Sequence, residues 1–472
     1  MADKKLILVT GASGYIASRL IPKLLDKGYR VRCMVRHPHR IQTRAWFRQV
    51  EVVQADVMVP STLPRAMEGV HTAYYLIHNM ASGSGYTSRE SCGAENFANA
   101  AAQAGLQHVI YLGGLADPKK QVSSHMRSRM HTGERLRTGT VPVTEFRAGV
   151  IVGPGSISFE MIRFMTELMV VIFGPIWLQN RAQPIAAQNV IDYLLAALEK
   201  PAKHNQIFEI GGPDVMSYAD LMLTYGRLRG LWRKYVIVPG IPVWFMALGV
   251  EWMTPVPAVI AKPLVGGMRG ESVANDPSAQ EMFPGVRLIG YEEAVMHSLS
   301  QLHPTRIEPV WRNSKKRVQV FKHEGFFIDH RWARVEAASE KVFSILASMG
   351  GKAGWPYANW LWKLRGWLDR LLSGPGMRGR KRALTANDML DFYRVEAIEE
   401  NRSLLLRSEL KVPGDGWMEW RVEIEDGKTR LSQTGYFAPR GFLGFVYWFA
   451  LAPFHKLIFR GMLKSLVRLS EL

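Results

Sequence analysis

Two groups of residues in this chain have types and spacings suited to chemistry. Directly after the apolar run "KLILVT", the segment "GASGYIASRL" sets Gly11, Gly14 and Ala17 in a G-x-x-G-x-x-A pattern at the start of an amphipathic stretch. Glycine at 11 permits a tight turn, glycine at 14 lets backbone N–H groups approach a diphosphate at a helix N-terminus, and a small residue at 17 permits close helix–strand packing. The second group lies in "SSHMRSRMHTGERLRTG", where His125 and Arg129 stand one helical turn apart and Glu134 follows. A histidine can donate a proton near neutral pH, and an arginine beside it can steady negative charge. The same pattern also suits a solvated or lipid-facing basic helix, and the spacing leaves both readings open.

The elements that must position these residues follow from periodicity. Short apolar runs, "YRVRCMVR", "VEVVQADV", "TAYYLIH", "QHVIYLGG" and "VTEFRAGVIVG", alternate with helix-length segments over the first 150 or so residues. Such alternation predicts an α/β fold, a doubly wound parallel sheet with helices on both faces. A small lobe follows, with one further strand-to-turn unit at "IFEIGGPDVMSYADLM", so that residues 1–305 form one domain. Residues 306–323 read as a polar, basic linker. Residues 324–472 then predict a separate α+β domain: a strand at "GFFIDHRWARVEA", a helix at "SEKVFSILASMGG" with Ser339 as N-cap, a second helix at "NWLWKLRGWLDRLL", several strands, and a last helix from about Leu443 to Leu469. Asp426-Gly427 is the clearest hairpin signal. On the second helix, Trp360, Leu361, Leu364, Trp367, Leu368, Leu371 and Leu372 recur at helical spacing and read first as core, with interfacial contact as the other reading.

The second strand indicates which dinucleotide the glycine turn would take. Between Lys27 and Val50 there is no Asp or Glu, whereas Arg36 stands at the strand end and Arg40 close behind. A ribose 2′-hydroxyl calls for a carboxylate there and a 2′-phosphate for cations, so NADPH is expected. Asp56, at the end of the third strand, could accept a hydrogen bond from an adenine amino group.

Composition narrows the partners. The 472 residues carry a formal net charge of +19, which suits an anionic membrane or a phosphorylated ligand, and no nucleic-acid recognition motif accompanies it. Three stretches, 164–178, 241–260 and 442–459, are apolar but broken by charge or proline, reading as buried helices or as interfacial segments. The two cysteines, Cys33 and Cys92, offer neither a disulfide framework nor zinc spacing, and no metal is expected. The N-terminus lacks the run of a signal peptide, which predicts a cytoplasmic start and, with the charge, a peripheral position on the inner face of the cell membrane. Oligomeric state is not legible.

"VTGASGYIA", "VRHP", "QADV", "YYLIHNM", "NFANAAAQAGLQHVIYLGGL" and "FRAGVIVGPGS", in this order, resemble the atypical short-chain dehydrogenase/reductases, specifically their NmrA-like branch. The resemblance implies dinucleotide contacts from Gly11, Ser13, Gly14, Tyr15, Ile16, Arg36, Asp56 and Val57 and from the end of "YYLIH". Reductases of the wider family use a Tyr-x-x-x-Lys pair, yet none of the 15 tyrosines has a lysine four residues on, and the usual serine position reads Gly113-Gly114. His125 and Arg129 are the nearest analogue, as proton donor and electrostatic partner. Residues 324–466 resemble a domain of uncharacterised function often fused to NmrA-like reductases in bacteria, with an element order similar to START-like helix-grip folds. The expectation is an NADPH-dependent oxidoreductase acting on an apolar substrate such as a lipid, isoprenoid or quinone-like compound. Its rival is a non-catalytic NADPH-binding scaffold or redox sensor with a lipid-binding module.

Overall fold

The computed structural model describes residues 5–78, 85–116, 122–312 and 314–472. By its contacts the chain divides into two units, the first holding Met1–Thr166 and Val171–Gln301, the second holding Ser314–Leu472.

In the first unit, β1 (Leu6–Thr10), β2 (Arg30–Val35), β3 (Glu51–Gln54), β4 (Thr72–Tyr75), β5 (His108–Gly114), β6 (Val143–Ala148) and the strand Gln206–Ile210 make one sheet. Its order is Gln206–Ile210, β6, β5, β4, β1, β2, β3, and every pairing is parallel. Alternate residues of β1 feed two cores: Ile7 and Val9 pack with Leu20, Leu24 and Phe146, while Leu6 and Leu8 pack with Tyr75, Phe97 and Val109. A strand buried on both faces reads as the continuous apolar run seen in the sequence. The order reverses between β1 and β4, and ligands of open parallel sheets bind beyond the carboxyl ends of strands at such a point.

In the second unit the strands Val318–His323, Phe326–Val335, Lys428–Pro439, Gly414–Glu425, Ser403–Ser408, Tyr393–Glu399 and Met389–Leu390 form one antiparallel sheet in that order. The helices Ser339–Ser348, Asn359–Leu371 and Gly441–Glu471 accompany it. Asp426 and Gly427 make the expected two-residue hairpin, both at positive φ (52° and 75°), with Glu425 opposite Lys428. This is the mirror-image turn that matches strand twist.

Several expectations change. The 306–323 stretch is no bare linker, because Val318–His323 pairs along the whole of its length with Phe326–Arg331. The first helix is capped by Ala338, with Ser339 already inside it and its hydroxyl turned to Glu340. The aromatic stripe of Asn359–Leu371 faces outward: Trp360, Trp367 and Leu371 are 65%, 57% and 64% exposed. The buried face is instead Trp362, Gly366 and Asp369. Trp362 stacks on Trp355 at 4.5 Å, and the Asp369 carboxylate accepts from the backbone N–H groups of Gly376 and Lys411. A buried carboxylate with backbone donors fixes the helix rotation, which a hydrophobicity count over the same residues assigns the other way. The 241–260 stretch forms the helices Val243–Met253 and Ala258–Gly267, with Trp244, Phe245 and Trp252 exposed.

Candidate functional site

The glycine turn follows β1 as its spacing requires. Gly11 adopts φ +62°, and a Cβ there would stand 2.7 Å from the Leu76 carbonyl oxygen, so conformation and space both demand glycine. Gly14 is the N-cap of the helix Tyr15–Asp26, its N–H donating to Gly11 O at 2.8 Å. No side chain caps this terminus, and no acidic residue lies in its first turn. Unmet N–H groups and the positive end of the helix dipole therefore face a cleft of about 470 Å³. This geometry suits a diphosphate.

The cleft runs past the carboxyl ends of β1, β2, β4 and β5. Gly11, Ser13, Gly14, Tyr15, Ile16, Ala17, Arg36, Asp56 and Val57 all line it. Arg36 follows β2 and is exposed, and among the described residues no carboxylate pairs with its guanidinium. Arg40 sits in the exposed turn Pro38–Arg40. Asp56 accepts from Met58 N at 2.9 Å through one oxygen, and Val57 is held by Asn96, whose amide donates to its carbonyl at 2.8 Å.

At the far end, the helix Ser124–Arg137 turns its His125/Arg129 face inward rather than to solvent. Ser123 caps it, accepting from Met126 N, and His125 and Arg129 are 5% and 8% exposed. Its other end is anchored by buried Glu145, which pairs with Arg137 and, at 2.8 Å, with Arg147. At Gly114 a Cβ would lie 2.7 Å from Met126 Sδ, so a serine there would have to displace the flexible Met126 side chain.

The two residues expected to act differ in what they can do. The Arg129 guanidinium donates to the carbonyls of Ile77, at 3.2 Å, and Leu112, and it lies over the Tyr111 ring. It thus ties together the ends of β4 and β5 beside the cleft that it lines. His125 keeps a buried Nδ1 with no hydrogen-bond partner among the described residues. Burial, reinforced by His78 and Arg129, lowers its pKa to about 3, so the imidazole is neutral at physiological pH. The unshifted value assumed from sequence does not apply.

Sequence reasoning took the end of "YYLIH" as a dinucleotide contact and missed a further acid–base pair there. His78, just beyond β4, lines the cleft, its Nδ1 2.7 Å from Glu90 Oε1, and its ring lies 5.1 Å from that of His125. Glu90, on the helix Tyr86–Gln103, also accepts from Ser128 Oγ at 2.5 Å. Burial opposes its ionisation, but His78, Arg129 and Ser128 outweigh this and hold it at about 2. Burial and Arg129 lower the His78 pKa against the pull of Glu90. A carboxylate that fixes one imidazole nitrogen and leaves the other for the cleft is an acid–base arrangement. The available signal was a histidine at the carboxyl end of a central strand.

A second cavity, of about 130 Å³, adjoins the cleft: His125, Met126, Gly149, Ser158 and Leu264 line both. It is apolar and includes Met126, Met161, Met165, Met222, Met246 and Met268, side chains that adapt to irregular apolar shapes.

Comparison with known proteins agrees with this fold. A family profile described as "NmrA-like family" matches residues 3–246, and one described as "Protein of unknown function (DUF2867)" matches residues 323–462. Cinnamoyl-CoA reductase 1 of Oryza sativa subsp. japonica is 29% identical over 115 residues, covering 23% of this chain and 34% of that protein. The chain thus spans about a third of that relative's length. The photosystem II assembly factor Ycf39 of Cyanophora paradoxa is 24% identical over 241 residues, covering 49% and 71%. Among solved structures, the triphenylmethane reductase of a Citrobacter species superposes with a TM-score of 0.51 at 20% identity, covering 62% of this chain and 99% of that one. An NADPH-dependent quinone oxidoreductase of Escherichia coli gives 0.50 at 17%, with the same coverage. At these identities the structural likeness establishes the fold.

Proposed function

Since the chain belongs to the NmrA-like family, we propose that it is an NADPH-dependent oxidoreductase acting on an apolar substrate, lipid, isoprenoid or quinone-like. The observation that carries this reading is the shared wall: the dinucleotide cleft and the methionine-lined cavity meet at His125, Met126, Gly149, Ser158 and Leu264. A bound dinucleotide would supply the hydride. Gly11, Gly14 and the helix N-terminus would hold its diphosphate, Arg36 its 2′-phosphate, and Asp56 its adenine. Two complexes with NADPH or NADP(H) are known among proteins of this fold, the E. coli quinone oxidoreductase and the Citrobacter triphenylmethane reductase, and they support the choice of cofactor.

The chain's own groups would manage the proton. Glu90 orients His78, which in its protonated form hands a proton to a substrate oxygen. His125, neutral, offers a hydrogen bond to the same region, and the apolar walls exclude water. Arg129 serves as a positioning residue that keeps Ile77 and Leu112 in register.

The rival reading, a non-catalytic NADPH-binding scaffold, is favoured by one observation, the absence of any Tyr-x-x-x-Lys pair. Multiple-turnover NADPH consumption with a panel of quinones, enones and cell lipid extract separates the two. Consumption that falls at least tenfold in His78→Gln with NADPH affinity intact supports the enzyme. Tight NADPH binding with no consumption on any acceptor supports the scaffold. The second unit is read as a START-like helix-grip domain, supported by its order of two strands, two helices, five further antiparallel strands and a long last helix.

A further inference from the structure

The second unit contains a cavity of about 300 Å³ that the oxidoreductase reading does not use. It lies among the sheet and the helices Asn359–Leu371 and Gly441–Glu471, and its lining is largely aromatic and aliphatic. Its polar members include Ser408, Tyr393, Tyr436 and Tyr447, together with two basic side chains, Arg365 and His455. His455 has a buried Nδ1 without a hydrogen-bond partner among the described residues. Arg365 donates to Tyr447 Oη at 3.0 Å, and no carboxylate among the described residues pairs with it. Arg365 is half-buried and bonded to a phenol oxygen, and His455 keeps a buried Nδ1 without a partner among the described residues, so both can still bind a ligand in this apolar cavity. The ligand that meets both is an anion with a long apolar body.

The mouth of this cavity indicates where such a ligand comes from. Leu364, Leu368 and Phe454 line the cavity and yet are 43%, 41% and 53% exposed. Around them Trp360, Trp367, Leu371, Phe449 and Leu457 are also exposed. A patch of this kind on a soluble surface marks an interaction site. The charge on the two helices is nearly all positive: Lys363, Arg370, Lys456, Arg460 and Lys464 are exposed, whereas Asp369 is buried and Glu471 stands at the far end. The neighbouring basic loop contributes less than its sequence promises, because Arg378 pairs with Glu409, Lys381 with Asp388, and Arg380 donates to four backbone carbonyls.

The helix Gly441–Glu471 is long and apolar enough to cross a membrane by length and composition. Its other face nevertheless packs on the sheet, Trp448 against Phe327 and Phe437 in one half, Met462 and Leu466 in the core in the other. A helix with one face held by its own sheet is suited to an interface rather than to a span.

We propose that the second unit docks on an anionic membrane through the exposed faces of these two helices and takes from it an anionic amphiphile, an acyl chain ending in a carboxylate or phosphate, whose headgroup reaches Arg365 and His455. The membrane contact is by tryptophan and leucine at headgroup depth, with the cations facing the lipid phosphates.

The test uses the full chain. Flotation is run with vesicles of phosphatidylcholine alone and of phosphatidylcholine with an equal amount of phosphatidylglycerol, and cavity binding is read by titration with a fluorescent long-chain fatty acid and the matching alcohol. The expected result is flotation only with the anionic vesicles, weakened by salt and reduced about tenfold or more in Trp367→Glu/Leu457→Glu, exposed positions outside the cavity lining. The fatty acid should bind more tightly than the alcohol, and Arg365→Gln should weaken the acid at least tenfold while the alcohol and the melting temperature stay put. A long-chain acid recovered with the purified chain identifies a free fatty acid as the source, a phospholipid identifies the bilayer lipid itself, and either supports the proposal. Equal binding of acid and alcohol, an unchanged Arg365→Gln, or equal flotation with both vesicles would overturn it. NADPH titration of the same variants should be unaltered, so failure here leaves the oxidoreductase reading untouched.

Discussion

What a histidine does is set by its surroundings, and both histidines at the end of the cleft are pushed below their ordinary value by burial. If protonated His78 is the donor, carbonyl reduction falls as pH rises through a pKa below the unperturbed value of about 6.5. A kcat profile centred at or above that value would point to another donor. The same shift bears on stability. The unfolded chain binds a proton at His125 below about 6.5 while the folded chain resists to about 3. The stability contributed by neutral His125 is therefore present above the unfolded pKa and lost as pH falls toward the folded one. Thermal unfolding between pH 6.5 and 4 should accordingly be less pH-sensitive in His125→Leu than in the parent. Gly11, Gly14, Arg36 and Asp56 were legible because a local turn and the ends of neighbouring strands suffice to place them. The His78–Glu90 pair was not, since it depends on how the helix Tyr86–Gln103 packs, a relation that no short spacing encodes.

At the scale of elements, the helix carrying His125 is fixed by Ser123 at one end and by Glu145 at the other. Replacing Glu145 by Leu leaves Arg137 and Arg147 without their shared buried carboxylate and should cost about 3–5 kcal/mol, read as a loss of melting temperature. Arg129→Ala strips the carbonyls of Ile77 and Leu112 of a charged donor. It should destabilise by about 1–3 kcal/mol, and its effect on turnover should track that loss of order, whereas an Arg129 acting directly on substrate would lower turnover with stability intact. Calorimetry and kinetics on one preparation tell these apart. The strands of the parallel sheet and the Asp426-Gly427 hairpin follow from periodicity and turn chemistry. The rotation of Asn359–Leu371 does not, because buried Asp369 and the stacked Trp362 override the wider apolar stripe.

For the whole chain, the parallel sheet was legible because strand and helix alternate in sequence as they do in space. The second unit was harder, since its outer strand, Val318–His323, comes from a stretch with linker composition. Its large outward apolar face runs against the rule that helical apolar stripes are core. The central claim concerns the first unit, that the cleft delivers hydride into the methionine-lined cavity. It is tested most directly by incubating the chain with NADPH deuterated at the transferable position of the nicotinamide and with cell lipid extract, then searching for deuterium by mass spectrometry. The account predicts deuterium in an apolar product, with transfer lost when Met222→Trp fills the cavity while NADPH still binds. Deuterium that stays on bound NADPH with every apolar acceptor, or transfer undiminished in Met222→Trp, would contradict it.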